Sequence, residues 1–217
     1  MKTARVLALA AAALLAVVPL PGRPAPLDAD DLFARMQAAD PALQSYRADV
    51  EFSVGMYSFP FVKKTLHGEA FFKRPDRLEI VFSDLPSFVR KYRQLYVGLG
   101  SPAVWRKKYE VAAHETEREG ETALRLVLTP RVSDQRLREV QIDLDGPSLL
   151  PRELVWLYSD GAIHTRQHIV QVDGHHVVTG QTTDIRFPGL HAFVHTTLHN
   201  VKVNAPFPDA VFTQPVE

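Results

Sequence analysis

Alternating apolar and polar positions dominate the chain from residue 46 onward. Between Tyr46 and Met56 every second side chain is apolar or small, and charged or polar side chains occupy most of the positions between them. A period of two is typical of a β-strand with one buried face and one solvated face. Further segments with this alternation are 78–82, 124–128 and 140–144. Turn sequences such as Asp173-Gly174 separate the segments, so the pattern predicts a meander of antiparallel strands.

Two segments have helical spacing instead. Residues 28–39 begin with acidic side chains and carry apolar residues on one side, which predicts an amphipathic helix. Residues 84–100 place Phe88, Tyr92 and Leu95 at intervals of three and four, with basic residues between them. This spacing predicts a second amphipathic helix. It packs on the sheet, or it acts as a movable lid or a contact with a membrane surface.

The first residues have the pattern of a secretory signal peptide. Lys2 and Arg5 precede an apolar run that Pro19 interrupts. A run of about 15 residues is shorter than the roughly 20 that span a bilayer, which argues against an uncleaved membrane anchor. We predict a signal peptide over residues 1–25, with cleavage between residues 22 and 29. A single domain over residues 28–217 would then be exported to the periplasm.

Composition narrows the function classes. The 217 residues include 25 basic and 25 acidic side chains, so no net charge attracts the protein to nucleic acid. The 46% of hydrophobic residues suffices for a buried core. The chain contains no cysteine. This excludes thiol nucleophiles, thiolate zinc sites, disulfides and a lipid-modified N-terminal cysteine.

The residue types that perform catalysis or bind metals do not form a recognisable pattern. His191, His195 and His199 are four apart, but their neighbours favour a strand, in which such residues lie roughly 13 Å from one another. A metal site would need a cross-strand partner such as His164 or His168. No serine has the context of a nucleophile elbow, and no carboxylate pair lies in an apolar run. We predict that the protein is not an enzyme and uses no cofactor or metal.

A sheet of seven or more strands with only two helices has a large apolar face to cover. Either the sheet closes on itself or something apolar lies against it. We predict a mainly β fold with α-helices, an incomplete antiparallel β-barrel (a half-barrel) covered by helices, whose cavity holds lipid. A fully packed core of the same residues is the alternative. The expected lining residues are Val50, Phe52, Phe72, Leu78, Ile80, Phe82, Leu126 and Ile142.

The segment from Gly68 to Leu78 reads GEAFFKRPDRL and resembles the periplasmic lipoprotein carrier LolA and its superfamily. In that family a Gly-x-hydrophobic-x-x-Lys-x-Pro-x-x-hydrophobic strand pair follows the first long strand. Three later pieces share the resemblance: ALRLVLTPR at 123–131, VQIDLDG at 140–146 with Pro151-Arg152 after it, and HNVKVNAPFPDAVFTQP at 199–215. The resemblance covers about 190 residues, which is essentially the whole predicted domain.

The resemblance implies a half-barrel that carries the acyl chains of lipids or lipoproteins. It also implies exchange of cargo with membrane-bound donor and acceptor proteins. We predict a monomer after export, because the chain has no cysteine and no adequate membrane span. In the family, the arginine before the proline bonds to the lid helices and is linked to opening. Here that residue is Arg74, and Phe88, Tyr92 and Leu95 would belong to the lid.

The basic segment 84–100 departs from the family, because it replaces a strand that the carriers have at this place. Lipoprotein, phospholipid and glycolipid therefore stay open as cargo. An envelope sensor or assembly module of the same fold that binds a partner protein is the alternative function.

Overall fold

The computed structural model describes residues 27–58, 61, 63–75, 77–83, 102–118, 121–132 and 136–213. The helices in this part of the chain are α1 (Ala29–Ala38), α2 (Pro102–Lys108) and a 3-10 helix (Asp209–Thr213). The strands are β1 (Ser45–Met56), β2 (Lys63–Lys73), β3 (Arg77–Phe82), β4 (Tyr109–Arg118), β5 (Glu121–Pro130), β6 (Leu137–Leu144), β7 (Pro151–Tyr158), β8 (Ala162–Val172), β9 (His175–Phe187) and β10 (Leu190–Val203). The predicted signal peptide and the predicted helix over 84–100 lie outside the described residues.

The ten strands form one antiparallel sheet in the order β3-β2-β1-β10-β9-β8-β7-β6-β5-β4. Successive strands are neighbours except β3 and β4, which lie at opposite edges, and β10 pairs with β1 to join the two halves of the sheet. The two edge strands, β3 and β4, each have one partner in the part of the chain that the structure describes. The sheet is therefore not closed, and the predicted half-barrel fold is confirmed.

The period of two in the sequence divides the sheet into two faces. On β1, Val50 lies opposite Gly68 of β2 and Leu198 of β10. Phe52 lies opposite Leu66 and Thr196 in the same way. We call the face that carries Val50 and Phe52 the inner face and the opposite face the outer face. Because paired residues share a face, most buried apolar positions of the strands collect on the inner face.

Buried apolar side chains on the inner face form two clusters. The first apolar cluster consists of Val50, Phe52, Leu66, Ala70, Ile80, Ile163, Ile185, Ala192 and Val194. The second apolar cluster consists of Leu32, Phe33, Trp105, Ala113, Leu126, Leu128, Val140, Ile142, Leu144 and Leu154. Trp156 of β7 packs against both clusters, so it joins the two halves of the sheet.

Helix α1 covers the second apolar cluster. The carboxylate of Asp28 accepts a hydrogen bond from the backbone N–H of Asp30 at 2.8 Å, which caps the first turn. Leu32 and Phe33 point into the cluster and are buried. The ring of Phe33 meets that of Trp105 on α2 edge to face, with centroids 6.0 Å apart. The predicted first helix is thus confirmed to within one residue at each end, and its apolar side decides which strands it covers.

The helices of the described residues are short. The longer of the two α-helices has ten residues, and within the described part of the chain no helix has the length and hydropathy needed to span a membrane.

Candidate functional site

The structure places the eight predicted lining residues on the inner face. Val50, Phe52 and Ile80 belong to the first apolar cluster, and Phe82 packs against it. The ring of Phe82 contacts that of Phe52, with centroids 5.7 Å apart. Phe72 lies opposite Leu78, next to the pair of Ala70 and Ile80. Six of the eight residues therefore lie on β1, β2 and β3, at one end of the sheet.

The other two predicted lining residues belong to the second apolar cluster. Leu126 and Ile142 lie opposite each other on β5 and β6 and are fully buried. They share their cluster with Leu32 and Phe33 of α1. Protein side chains rather than open space therefore face them. The residues that the sequence grouped as one lining are divided between two clusters.

Arg74, in the turn between β2 and β3, binds the C-terminal end of α1. Its Nη1 donates a hydrogen bond to the carbonyl of Gln37 at 3.0 Å, and its Nη2 donates to the carbonyl of Asp40. Its own backbone N–H donates to the carbonyl of Gln44 at 2.9 Å. The last carbonyls of a helix lack partners within the helix, and a planar guanidinium can bind two of them at once. Arg74 therefore joins α1 to the edge of the sheet.

Asp40 is held from a second side. Both of its carboxylate oxygens lie close to Nδ1 of His175, at 3.0 and 2.9 Å. His175 is the first residue of β9, and both side chains are largely buried. The chain after α1 is thus fixed to two different turns of the sheet. The sequence analysis missed this pair, because the two residues are 135 positions apart and neither belongs to a motif.

The remaining residues predicted for the lid, Phe88, Tyr92 and Leu95, lie outside the described residues. Their role stays a prediction.

Charged side chains form ion pairs across the outer face. Arg125 of β5 binds Asp143 of β6 through two hydrogen bonds of 2.6 and 2.8 Å. The hydrogen bond to Asp143 raises the pKa of Arg125 above its ordinary value. Glu153 of β7 binds His164, and it accepts a hydrogen bond from Arg166 at 3.2 Å. Asp143 and Glu153 are largely buried and each is bound by an arginine, which is typical of structural ion pairs.

The ion pairs continue on β9 and β10. Asp184 accepts hydrogen bonds from Arg186 at 2.8 Å and from His191 at 3.1 Å. Burial opposes ionisation of Asp184, but the hydrogen bonds and charges of Arg186 and His191 outweigh it and hold the pKa of this carboxyl below its ordinary value. The interactions favour the ionised carboxylate.

A depression of about 290 Å³ lies on the outer face over the first group of ion pairs. Its lining residues are Thr116, Arg125, Gln141, Asp143, Glu153, Val155 and His164. A second depression of about 410 Å³ lies over β1 and β2, next to His67 and His199. Most of the residues that line the two depressions have polar or charged side chains, unlike those of the inner face.

The histidines of β10 lie on a strand, as the sequence predicted. His191 binds Asp184, and Nδ1 of His195 lies 3.1 Å from the hydroxyl of Thr182. Among the described residues, no three His, Asp or Glu side chains have an arrangement that could hold a metal ion.

Polar side chains also occupy the inner face, which the sequence analysis did not foresee. Five of them lie on the adjacent strands β8, β9 and β10, and we call them the inner polar cluster: Thr165, Gln167, Gln181, Thr183 and Thr196. The hydroxyls of Thr165 and Thr183 are 2.9 Å apart. Nε2 of Gln167 donates to Oε1 of Gln181 at 3.2 Å, and Nε2 of Gln181 donates to the hydroxyl of Thr183 at 3.3 Å. The same three strands also carry Ile163, Ile185, Ala192 and Val194 of the first apolar cluster.

Comparison with known proteins identifies the fold. No protein-family model matches the sequence, and no curated protein matches it. A crystal structure of a DUF1329 family protein from Desulfovibrio piger is similar, with a TM-score of 0.62 and 15% identity over 84% of this chain and 94% of that chain. A putative outer membrane lipoprotein-sorting protein domain from Vibrio parahaemolyticus has a TM-score of 0.60 and 10% identity, over 84% of this chain and 95% of that chain.

A LolA superfamily protein from Nitrosomonas europaea is also similar, with a TM-score of 0.54 and 12% identity over 87% of this chain and 98% of that chain. At such identities the likeness concerns the fold. The resemblance found in the sequence is thereby confirmed at the level of the fold, which is LolA-like.

Proposed function

We propose that this chain of LolA-like fold binds the acyl chains of lipids or lipoproteins on the inner face of its half-barrel and carries them through the periplasm. It would serve outer membrane lipoprotein or lipid transport as a monomer, and exchange cargo with membrane-bound donor and acceptor proteins. The proposal includes no catalytic step and no cofactor. The observation that carries it is the attachment of α1 to the sheet by Arg74, next to an apolar face that strand pairing does not close.

The apolar face provides the binding energy in this proposal. Val50 and Phe52 lie in the first apolar cluster, and the half-buried Phe82 packs against them from the edge strand β3. An acyl chain that replaces water or loosely packed side chains there gains about 0.8 kcal/mol for each buried CH₂ group. Because β3 pairs only with β2 among the described strands, the edge can move outward without loss of other pairs within them. Entry at this edge is therefore less costly than entry between two paired strands.

Arg74 provides the means of opening. Its contacts with α1 are hydrogen bonds to the carbonyls of Gln37 and Asp40, and water can replace such bonds when the helix moves. The apolar side of α1 stays anchored through Leu32 and Phe33. Movement would thus begin at the end of α1 that Arg74 holds. The lipoprotein-sorting description of the Vibrio relative supports this class of cargo.

Binding of a fluorescent fatty acyl probe tests the proposal. Phe82→Trp adds bulk on the inner face without adding charge, and we expect it to weaken binding by roughly tenfold, because the added ring occupies space that the probe needs. Ile80→Lys should abolish binding, since a charge on the inner face loses hydration without gaining a partner. Titration of the purified protein with the probe measures both effects.

Val81→Lys is the matched control for Ile80→Lys. Val81 is the next residue of β3 and lies opposite Glu69 on the outer face, so the new lysine there gains a neighbour of opposite charge. Wild-type affinity is expected for this variant. If the folded wild-type protein binds no acyl probe at all, the proposal is wrong and the partner-binding alternative takes its place.

Export is the second element of the proposal. The sequence of residues 1–25 predicts that the chain is cleaved between residues 22 and 29 and enters the periplasm. Fractionation of cells, followed by mass determination of the recovered protein, should give a shortened chain in the soluble envelope fraction. A chain of full length that stays in the membrane after an alkaline wash would contradict this prediction.

A further inference from the structure

We infer that the inner polar cluster binds the uncharged acylglyceryl group of the ligand, namely the glycerol ester to which acyl chains are attached. The inference rests on the proposed function, because it assigns the polar part of the same cargo. It concerns the side chains of Thr165, Gln167, Gln181, Thr183 and Thr196.

The cluster is built by strand register. Thr165 lies directly opposite Thr183, and Gln167 lies opposite Gln181. Gln181 in turn lies opposite Thr196. The hydrogen bonds among the first four residues run from Gln167 through Gln181 to the two threonines. Side chains that bind each other in this way keep a fixed orientation, so the cluster is ordered before any ligand arrives.

Thr196 is the member whose hydrogen-bonding capacity is unused. Its residue is 9% exposed, and its hydroxyl oxygen is buried without a hydrogen-bond partner within the described part of the chain. Buried hydroxyls nearly always have a partner, because an unpaired one loses its bonds to water. Thr196 also lies opposite Phe52 of the first apolar cluster. The unused hydroxyl therefore lies where an apolar surface meets a polar one.

The charges of these strands exclude an ionic head group from the cluster. At the paired positions of the cluster, the inner face of β8, β9 and β10 carries hydroxyls and amides, whereas charged neighbours such as Arg166 and Asp184 occupy the alternate positions on the outer face. His175, at the start of β9, is bound to Asp40 instead. A phosphate or an ammonium group at the cluster would be desolvated without a counter-charge from these three strands. Esters and hydroxyls carry no charge, and threonine and glutamine side chains both donate to and accept from them.

The unused hydroxyl beside an apolar surface and the uncharged side chains around it together indicate the ligand class. An acylglyceryl group has ester carbonyls and a glycerol oxygen beside its hydrocarbon, which matches a hydroxyl next to Phe52 and an amide pair beyond it. Two sources share this chemistry: free diacylglycerol, and the diacylglyceryl group attached to the cysteine of a bacterial lipoprotein. The experiment below includes both.

Displacement of the fluorescent acyl probe by three competitors tests the inference: dipalmitoylglycerol, a dipalmitoylglyceryl-cysteine peptide, and dipalmitoylphosphatidate, which has the same chains and an added phosphate. We expect both uncharged competitors to bind the wild-type protein more tightly than the phosphatidate. Thr196→Val should weaken their binding by roughly tenfold, because it removes one buried hydrogen bond to the ligand. If one of the two uncharged competitors binds more tightly than the other, it identifies whether the ligand is free diacylglycerol or a lipoprotein.

Stability separates a binding role from a structural one. Thr196→Val removes a hydroxyl that has no hydrogen-bond partner in the described part of the chain, so the thermal midpoint of the free protein should stay the same or rise. Thr197→Val is the matched control: it lies on the outer face of the same strand and should leave competitor binding unchanged.

The inference is overturned if the acyl probe still binds but Thr196→Val leaves the affinity for both uncharged competitors unchanged. It is also overturned if the phosphatidate binds as tightly as the diacylglycerol. Failure of the wild-type protein to bind the acyl probe would instead overturn the proposed function. The two failures are therefore distinguishable.

Discussion

Replacement of Arg74 by leucine is expected to accelerate release of a bound acyl ligand by about 10- to 100-fold, because a hydrogen bond from a charged group contributes roughly 1.5 to 3 kcal/mol to the closed state. The variant loses both bonds to the carbonyls of Gln37 and Asp40. The apolar anchor of α1 at Leu32 and Phe33 is untouched, so the fold should persist. The rate of probe transfer from the loaded protein to acceptor vesicles, followed by stopped flow, measures the effect.

Two further variants sharpen this test. Arg74→Lys keeps the charge but replaces the planar fork with a single ammonium, and an intermediate transfer rate is expected. Arg77→Leu removes a charge from the start of β3, where the side chain is exposed and lies near Asp209 rather than α1, and it should leave transfer unchanged. Equal transfer rates for wild type and Arg74→Leu, with the fold intact, would contradict a latch at this position.

Replacement of Gly68 by alanine is expected to lower the free energy of unfolding by roughly 3 kcal/mol, the upper end of the cost of overpacking. A Cβ atom at Gly68 would lie 2.2 Å from the backbone oxygen of Val81 and 2.9 Å from the Cα of Phe82. Backbone atoms cannot rotate away as a flexible side chain can, so β3 would have to shift relative to β2. Urea unfolding followed by circular dichroism measures the change in stability.

Gly55→Ala on β1 is the matched control. The nearest atoms to a Cβ at Gly55 belong to the side chain of Tyr57 and lie 3.9 Å away, which is an ordinary van der Waals distance. This variant should unfold at nearly the wild-type urea concentration. If Gly68→Ala is as stable as the wild-type protein, the prediction is wrong and the close approach of β2 and β3 does not exclude a side chain at this position. If the prediction holds, acyl-probe binding should also decrease, because Ile80 and Phe82 move with β3.

Local sequence signals predicted the elements well. The acidic start of residues 28–39 and the apolar spacing after it gave α1, since capping and helix periodicity act within a few residues. Likewise, the alternation from Tyr46 to Met56 gave β1, and the β-branched neighbours of His195 gave β10. Such signals depend on near neighbours in the chain, so they can be recognised without knowledge of tertiary contacts.

The inner polar cluster shows where pattern analysis failed. Thr165 and Gln167 follow Ile163 in alternate positions, and Gln181 and Thr183 precede Ile185 in the same way. A period-two analysis that counts only apolar residues does not assign these four polar positions to the inner face. Their shared orientation was visible in the spacing, but their mutual hydrogen bonds depend on the pairing of β8 with β9.

The sequence by itself determined the class of fold, because alternation along the strands requires one apolar face and turn residues set the strand ends. It also placed Arg74 in a motif that resembles the carriers. Only the tertiary structure decided which strands are neighbours and which of them α1 covers. It alone joined Asp40 to His175 and left the hydroxyl of Thr196 without a hydrogen-bond partner among the residues that the structure describes. The physical reason is that these contacts join residues far apart in the chain, whose proximity depends on the pairing of β10 with β1 and on how the helices pack.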